Sequence, residues 1–404
     1  MKNQKKAMLF IFITMLIDCT GLGIIIPVTP KLIEELTGKG VSEAATYFGW
    51  LSVAYAVMQF LFSSVLGGLS DRYGRRPVLL LSLLGLGIDY IFLAVAPGIF
   101  WLFVGRMIAG ISGASFTTAS AYIADVSEPE KRAQNFGMIG VAFGIGFILG
   151  PLIGGVFGSF GTRVPFLIAA GLSLLNALYG YFVLPESLSP ENRRPFDWKR
   201  ANPVGMLLNL KRYKHVLGLI LIIFLVNIAG HAAQSTWTFI TMLKFNWNEA
   251  TIGYSLAFVG LSVAIVQGGL IRIVVPKIGE VKAIFVGFAF YLIGFILFAF
   301  ANQGWMMFAF MIPYALGGLA MPAVQGIISN HVPDNEQGEI QGVLTSLISL
   351  TAIIGPLVMT MLFHYFTQSN APVYFPGAPF MMGAVLTLVC LSIALKAVRR
   401  ATAH

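Results

Sequence analysis

About a dozen runs of roughly 20 apolar residues constrain this chain more than any other feature, because such a run spans a bilayer as a helix. They fall near 7–29, 44–68, 78–97, 99–122, 133–158 and 164–184. After a polar segment at 185–213, six more fall near 214–241, 249–273, 283–301, 304–329, 338–366 and 375–397. No soluble domain is left over within the 404 residues. Composition agrees, with 57% hydrophobic and 11% charged residues, where soluble domains carry about 45–50% and about 25%. The prediction is an all-α polytopic membrane protein with twelve transmembrane helices. A transmembrane β-barrel is not expected, since barrel strands are about 10 residues of alternating polarity and these runs are longer and apolar throughout.

Lysine and arginine orient the chain. Of 26 such residues, 21 fall on one side if the N-terminus is cytoplasmic, including Lys2, Lys5, Lys6, Lys131, Arg132 and seven within 193–214. Only Lys31, Lys39, Arg163 and Lys244 fall on the other side, and Arg106 lies inside a span. Positive loops stay in the cytoplasm, so both termini are predicted there. The same bias accounts for the +9 net charge, and no nucleic-acid partner is expected. Lys2, Lys5 and Lys6 before an apolar run resemble a signal peptide. That run, however, reaches Pro30 with Asp18 at its middle, and no small-residue cleavage site ends it. It is read as the first span. Cys19 and Cys390 lie inside apolar runs without metal-ligand spacing, so neither a disulfide framework nor a metal or cofactor is predicted.

The segment 185–213 carries Pro185, Pro190, Pro195 and Pro203 among charges, and it divides the chain into an N-terminal six-helix bundle (1–184) and a C-terminal one (214–404). The halves repeat weakly. Gly67-Gly68-Leu69 returns as Gly268-Gly269-Leu270, Gly150-Pro151-Leu152 as Gly355-Pro356-Leu357, and Gly137 as Gly342. Two such halves imply a pseudo-two-fold axis and a binding site between them at the midplane. A monomer suffices for such a site.

A charge at the centre of a span costs about 2.5–3.5 kcal/mol, so it usually faces a cavity and has a function. Three stand out: Asp18 in span 1, Asp89 in span 3 and Arg106 in span 4. Apolar surroundings favour a protonated carboxyl and a nearby arginine an ionised one. A carboxylate whose distance to arginine changes can therefore bind and release a proton. Asp18 is read as the main proton-titrating group, Asp89 as the second, and Arg106 as their partner. The alternative for both acids is a fixed ion pair or a neutral carboxyl that holds helices together.

Other polar residues are candidate substrate contacts. In span 7, Asn227, His231 and Gln234 are spaced i, i+4 and i, i+3 on one face, which Trp237 is expected to extend. His231 can titrate near neutral pH, hydrogen-bond a substrate, or simply pack. Tyr55 and Gln59 form an i, i+4 pair in span 2, and Gln325 follows a kink expected at Pro322 in span 10. In span 5, glycines 146, 150, 154 and 158 make a ridge for close helix packing, with Gly140 and Gly144 as a second pair. Pro27 and Pro30 are expected to kink the end of span 1.

One stretch concentrates charge between two apolar runs: Gly67 to Pro77, with Gly67, Asp71, Arg72, Gly74, Arg75 and Arg76. With Gly105-Arg106, Gly110 and Gly113 in span 4, and Gly146, Gly150, Pro151, Gly154 and Gly155 in span 5, it resembles the major facilitator superfamily. Leu79 to Ser82, Pro322 to Gly326 and Gln337 to Leu347 resemble its twelve-span drug:proton antiporters of the tetracycline-efflux type. The resemblance implies alternating access, proton-coupled export of an amphipathic small molecule, and a bacterial inner membrane. It also implies an inner gate at Gly67, Asp71, Arg72, Gly74 and Arg75, with Asp125 as the partner of Arg75 and Gly150-Pro151 as a conformational element. A histidine in span 8 and an acid in span 9, which the resemblance also implies, are missing. The substrate therefore stays open.

Enzyme signatures are absent: no G-x-G-x-x-G opening a helix after a strand, no G-x-x-x-x-G-K-[ST], no H-E-x-x-H and no G-x-S-x-G. Without a nucleotide-binding motif, energy has to come from a gradient. The readings that stand beside export are a proton symporter importing a metabolite and, more distantly, a non-transporting sensor or enzyme of the same fold.

Overall fold

A computed structural model describes residues 2–113, 115–127, 132–196, 216–332 and 337–402, with side chains over 8–113, 117–127, 138–196, 216–332 and 340–397. Residues 197–213 and Lys131 lie outside the described residues, and the side chains of Arg132, Gly137 and 337–339 lie outside those described. The described residues are helical, with no strand among them, and twelve helices are long and apolar enough to cross a membrane. Spans 1 to 6 are Lys2–Ile25, Val41–Tyr73, Arg75–Val95, Ile99–Ser112 with Ser115–Val126, Arg132–Gly158, and Val164–Val183. Spans 7 to 12 are Leu217–Phe245, Glu249–Ile265 running on to Ile278, Glu280–Phe300, Gly304–Leu316 running on to Asn330, Gln337–Thr367, and Ala378–Thr402.

The chain forms two compact units: Met1–Lys39 with Ala54–Asn202 and Asn248–Ala257, and Gly40–Val53 with Pro203–Trp247 and Phe258–His404. In the first, Phe10, Ile11 and Met15 of span 1 bury against Leu79, Leu83, Tyr122, Ile123 and Ala177. In the second, Ile220, Ile223 and Val226 of span 7 meet Phe288, Val324, Leu344 and Cys390. Aromatic rings extend that core, with Phe298 against Trp237, Tyr314 and Phe380 at 5.2–5.5 Å.

Lipid removes the hydrophobic drive between helices, so small residues that permit close contact decide the packing. The glycine ridge of span 5 does this against span 1. A Cβ added at Gly146 would lie 2.6 Å from Cys19 Cβ, one at Gly150 2.7 Å from Gly23 Cα, and one at Gly158, past the end of span 1, 2.5 Å from Val28 Cγ1 in the turn that follows it. The Gly154 position faces the Ile24 carbonyl. Gly140 and Gly144 do not make the expected second packing pair, since nothing lies within 4 Å of a Cβ at either position.

Several boundaries differ from the sequence reading for identifiable reasons. Span 1 does not bend at Pro27 and Pro30. It ends at Ile25, and Pro30 becomes the second residue of a new helix, Thr29–Thr37, where its missing N–H costs nothing. The break in span 10 falls at Gly317–Leu319, a single 3₁₀ turn, and not at Pro322. Pro313 lies one turn earlier and withdraws a helical donor, while Pro322 sits in the first turn of the resumed helix. In span 8 the Gly268-Gly269 pair lies in a π turn, Val266–Leu270. Most consequentially, Gly67 to Pro77 is hardly a loop. Span 2 runs to Tyr73, span 3 starts at Arg75, and Gly74 alone joins them with φ 105° and ψ 160°.

Candidate functional site: buried charge in the first unit

Asp18, Asp89 and Arg106 are brought together within the first unit. Asp89 is fully buried, and its Oδ2 accepts a 2.6 Å hydrogen bond from an Arg106 terminal nitrogen. Its side chain lies over Gly105, where an added Cβ would come within 2.7 Å of Oδ1. Glycine at that position is what lets the carboxylate reach across from span 3 to span 4. Asp18 is 4% exposed on span 1. Tyr55 and Tyr90 each lie within electrostatic reach of Asp18, Asp89 and Arg106.

Tyr55 and Gln59 are joined as their spacing predicts, with Gln59 Nε2 donating to Tyr55 Oη at 3.1 Å. They press on span 4 where it breaks: a Cβ at Gly110 would lie 2.7 Å from Met58 Cβ, and one at Gly113 2.9 Å from Tyr55 Oη. Five helices thus meet at one polar cluster, four supplying polar groups and span 5 packing on span 1 beside Asp18.

The charges at the Gly74 end of spans 2 and 3 form a second network in the same unit. Arg75 pairs with Asp71 at 2.5 Å and Asp125 at 3.2 Å, and donates to Ser70 Oγ at 2.6 Å. Ser70 in turn donates to the Gly67 carbonyl at 2.7 Å. Arg72 is exposed, its guanidinium 5.0 Å over the Tyr73 ring. A residue that sequence reasoning missed completes the network. Glu186 accepts the backbone N–H groups of Arg75 and Arg76, while Ser187 donates to Asp125 at 2.9 Å. Its only sequence signal was a carboxylate just past the apolar end of span 6.

Span 7 divides the predicted stripe. Asn227 donates back to the Ile223 carbonyl at 2.8 Å, Gln234 is exposed, and the His231 ring lies against Gly355, where an added Cβ would come within 2.6 Å of Cγ. Trp237 does not share their face. It is 3% exposed among Phe298 and Phe380, in the core of the second unit. At 100° per residue two successive three-residue steps drift backwards, carrying Trp237 off the His231 line. Gln325 is exposed on the second unit. Span 9 begins earlier than expected and includes Glu280 in its first turn, beside Gly326. Among the described residues no cluster of three His, Cys, Asp or Glu can hold a metal.

Twelve spans in two units, with an ion pair buried in one of them, define a polytopic membrane protein. The sequence matches the family model described as Major Facilitator Superfamily over residues 11–304 and 273–403. It is 40% identical over 389 residues to the class C tetracycline resistance protein of Escherichia coli, covering 96% of both chains. It is 38% identical over 385 residues to the class G tetracycline resistance protein of Vibrio anguillarum, covering 93% of this chain and 94% of that one. The crystal structure of the human organic anion transporter MFSD10 superposes with a TM-score of 0.71 at 23% identity, covering 97% and 99% of the two chains, which supports the fold.

The chain belongs to the major facilitator superfamily, in its tetracycline-efflux-like branch. It is an integral membrane transporter of a small molecule and not an enzyme, and the importing alternative is not favoured.

Proposed function

We propose that this protein exports an amphipathic drug of the tetracycline class in exchange for protons. The relatives at 38–40% identity are named for tetracycline resistance, so tetracycline is the substrate to test first. The observation that carries proton coupling is the buried Asp89–Arg106 pair with Asp18 in electrostatic reach of the same two tyrosines. A buried carboxylate is costly when charged and unpaired. Binding of a proton to Asp18 or Asp89 therefore changes which helix arrangement is favoured. Tyr55 and Gln59 of the first unit and Asn227, His231, Gln234 and Gln325 of the second are the proposed substrate contacts, while Trp237 of span 7 is buried in the core of the second unit.

The Asp71–Arg75–Asp125 network is the proposed inner gate, with Gly150-Pro151 as the packing element that moves. The protein is read as a monomer in the bacterial inner membrane, and the lysine and arginine asymmetry supports placing both termini in the cytoplasm. No nucleic-acid partner is proposed.

The test is uptake of tetracycline into inverted membrane vesicles. Uptake should require an imposed pH gradient, collapse with a protonophore, and be lost in Asp18→Asn. Gradient-independent uptake that survives Asp18→Asn overturns the reading.

A further inference from the structure

We propose that Tyr90 is a positioning residue for proton coupling, its hydroxyl holding the Asp18 carboxyl of span 1 in register with the Asp89–Arg106 pair. The inference rests on the proton-coupled reading above and adds to it a residue outside the charged set.

Tyr90 directly follows Asp89, and neighbours on a helix point about 100° apart. Both are inside, at 0% and 2% exposure. The tyrosine side chain points toward span 1: a Cβ added at Gly21 would lie 2.8 Å from Tyr90 Oη and 3.3 Å from Cζ. The hydroxyl thus occupies the space that a side chain at position 21 would fill.

Gly21 lies three residues after Asp18, so the two positions share a helix face, with Cβ sites about 5–6 Å apart. That places the phenol within the reach of one side chain from the carboxyl. Four titratable or charged groups act on Tyr90: Arg106 of span 4, its neighbour Asp89, Asp18 of span 1 and Tyr55 of span 2. Span 6, also packed on span 3, contributes the neutral Asn176 and Ser173. Tyr90 therefore lies between span 1 and the ion pair of spans 3 and 4.

A phenol suits the task chemically. Its O–H can donate to the ionised Asp18 carboxylate, which favours that form over the protonated one. Phenylalanine keeps the ring and its packing but has no such group.

The experiment measures tetracycline exchange in proteoliposomes as a function of pH, for wild type and Tyr90→Phe, with thermal unfolding in detergent alongside. The pH of half-maximal exchange is expected to move upward by about one to two units, the worth of one hydrogen bond to a charged group. The unfolding midpoint and the KM for tetracycline should stay close to wild type. A wild-type profile that is flat with pH overturns the proton-coupled reading itself. A wild-type profile that is pH-dependent and unmoved in Tyr90→Phe overturns the role of Tyr90 alone. Gly21→Ala pushes a Cβ against the hydroxyl and should shift the profile in the same direction. It carries the test if Tyr90→Phe does not reach the membrane, and an unmoved profile there also overturns the role.

Discussion

The Glu186 carboxylate accepts the backbone N–H groups of Arg75 and Arg76, at 2.8 and 3.3 Å, from more than a hundred positions further along the chain. Those donors belong to the first turn of span 3, where helical N–H groups have no partner and the helix dipole favours an anion. Gly74, the residue in the capping position, has no side chain to satisfy them. A residue following span 6 thus completes the start of span 3, and the same carboxylate accepts from its own chain at Ser187 and Leu188. The polar segment after span 6 is thereby fastened to the Asp71–Arg75–Asp125 network.

Replacing Glu186 with alanine should lower stability by about 1 kcal/mol, the usual worth of a capping group. Glu186→Gln should lose less, because an amide oxygen still accepts. Glu191, on an exposed 3₁₀ turn, serves as the control. Thermal unfolding in detergent reads all three, and equal midpoints for Glu186→Ala and Glu191→Ala would remove the capping role.

Gly74 and Gly279 are both left-handed junctions ahead of a span, at φ 105° and 79°. Their surroundings differ. A Cβ at Gly279 meets nothing within 4 Å, whereas one at Gly74 would collide with the Glu186 carboxylate. Gly279→Ala should cost only backbone strain, about 1–3 kcal/mol. Gly74→Ala should cost more, and in a Glu186→Ala background its cost should fall to that of Gly279→Ala. Unfolding midpoints of the two single variants and the double variant check this.

Asp89→Asn leaves Arg106 buried beside a neutral amide. Breaking a buried pair from one side typically costs about 3–5 kcal/mol. Asp89→Asn with Arg106→Gln should be less destabilised than the sum of the single variants, by an interaction energy of about 0.5–3 kcal/mol. Additive losses would mean that the 2.6 Å contact contributes little energy.

The His231 ring occupies the space that a side chain at position 355 would need. Gly355→Ala should therefore destabilise the second unit by about 1–3 kcal/mol, the usual range for overpacking. His231→Ala in the same chain should relieve it. Transport of tetracycline by His231→Ala separates the two readings of this histidine: unchanged KM assigns it to packing, and raised KM to the substrate.

The number of spans was legible because a bilayer demands the same thing of every spanning helix, about 20 apolar residues in a row. The buried charges were legible for the converse reason. Asp18, Asp89 and Arg106 are costly in lipid, and so conspicuous in the sequence. The glycine ridge of span 5 followed from spacing alone, since every fourth residue falls on one face. Trp237 was misplaced because helical drift over several turns separates residues that each look adjacent to the next. Glu186 and Tyr90 left almost no trace, one being an ordinary charge in a polar segment and the other an ordinary aromatic in an apolar run.

By itself, then, the sequence determined twelve apolar helices, the uneven distribution of lysine and arginine about them, and the identity of the three deep charges. These are local properties, set by each segment's free energy in lipid or water. Only the tertiary structure decided that Asp89 meets Arg106 over Gly105, that Tyr90 lies in the gap left by Gly21, and that Glu186 caps span 3. Each of these contacts depends on which helices come within a few ångströms of one another. Composition does not encode that choice; small residues at the crossings and the geometry of packing do.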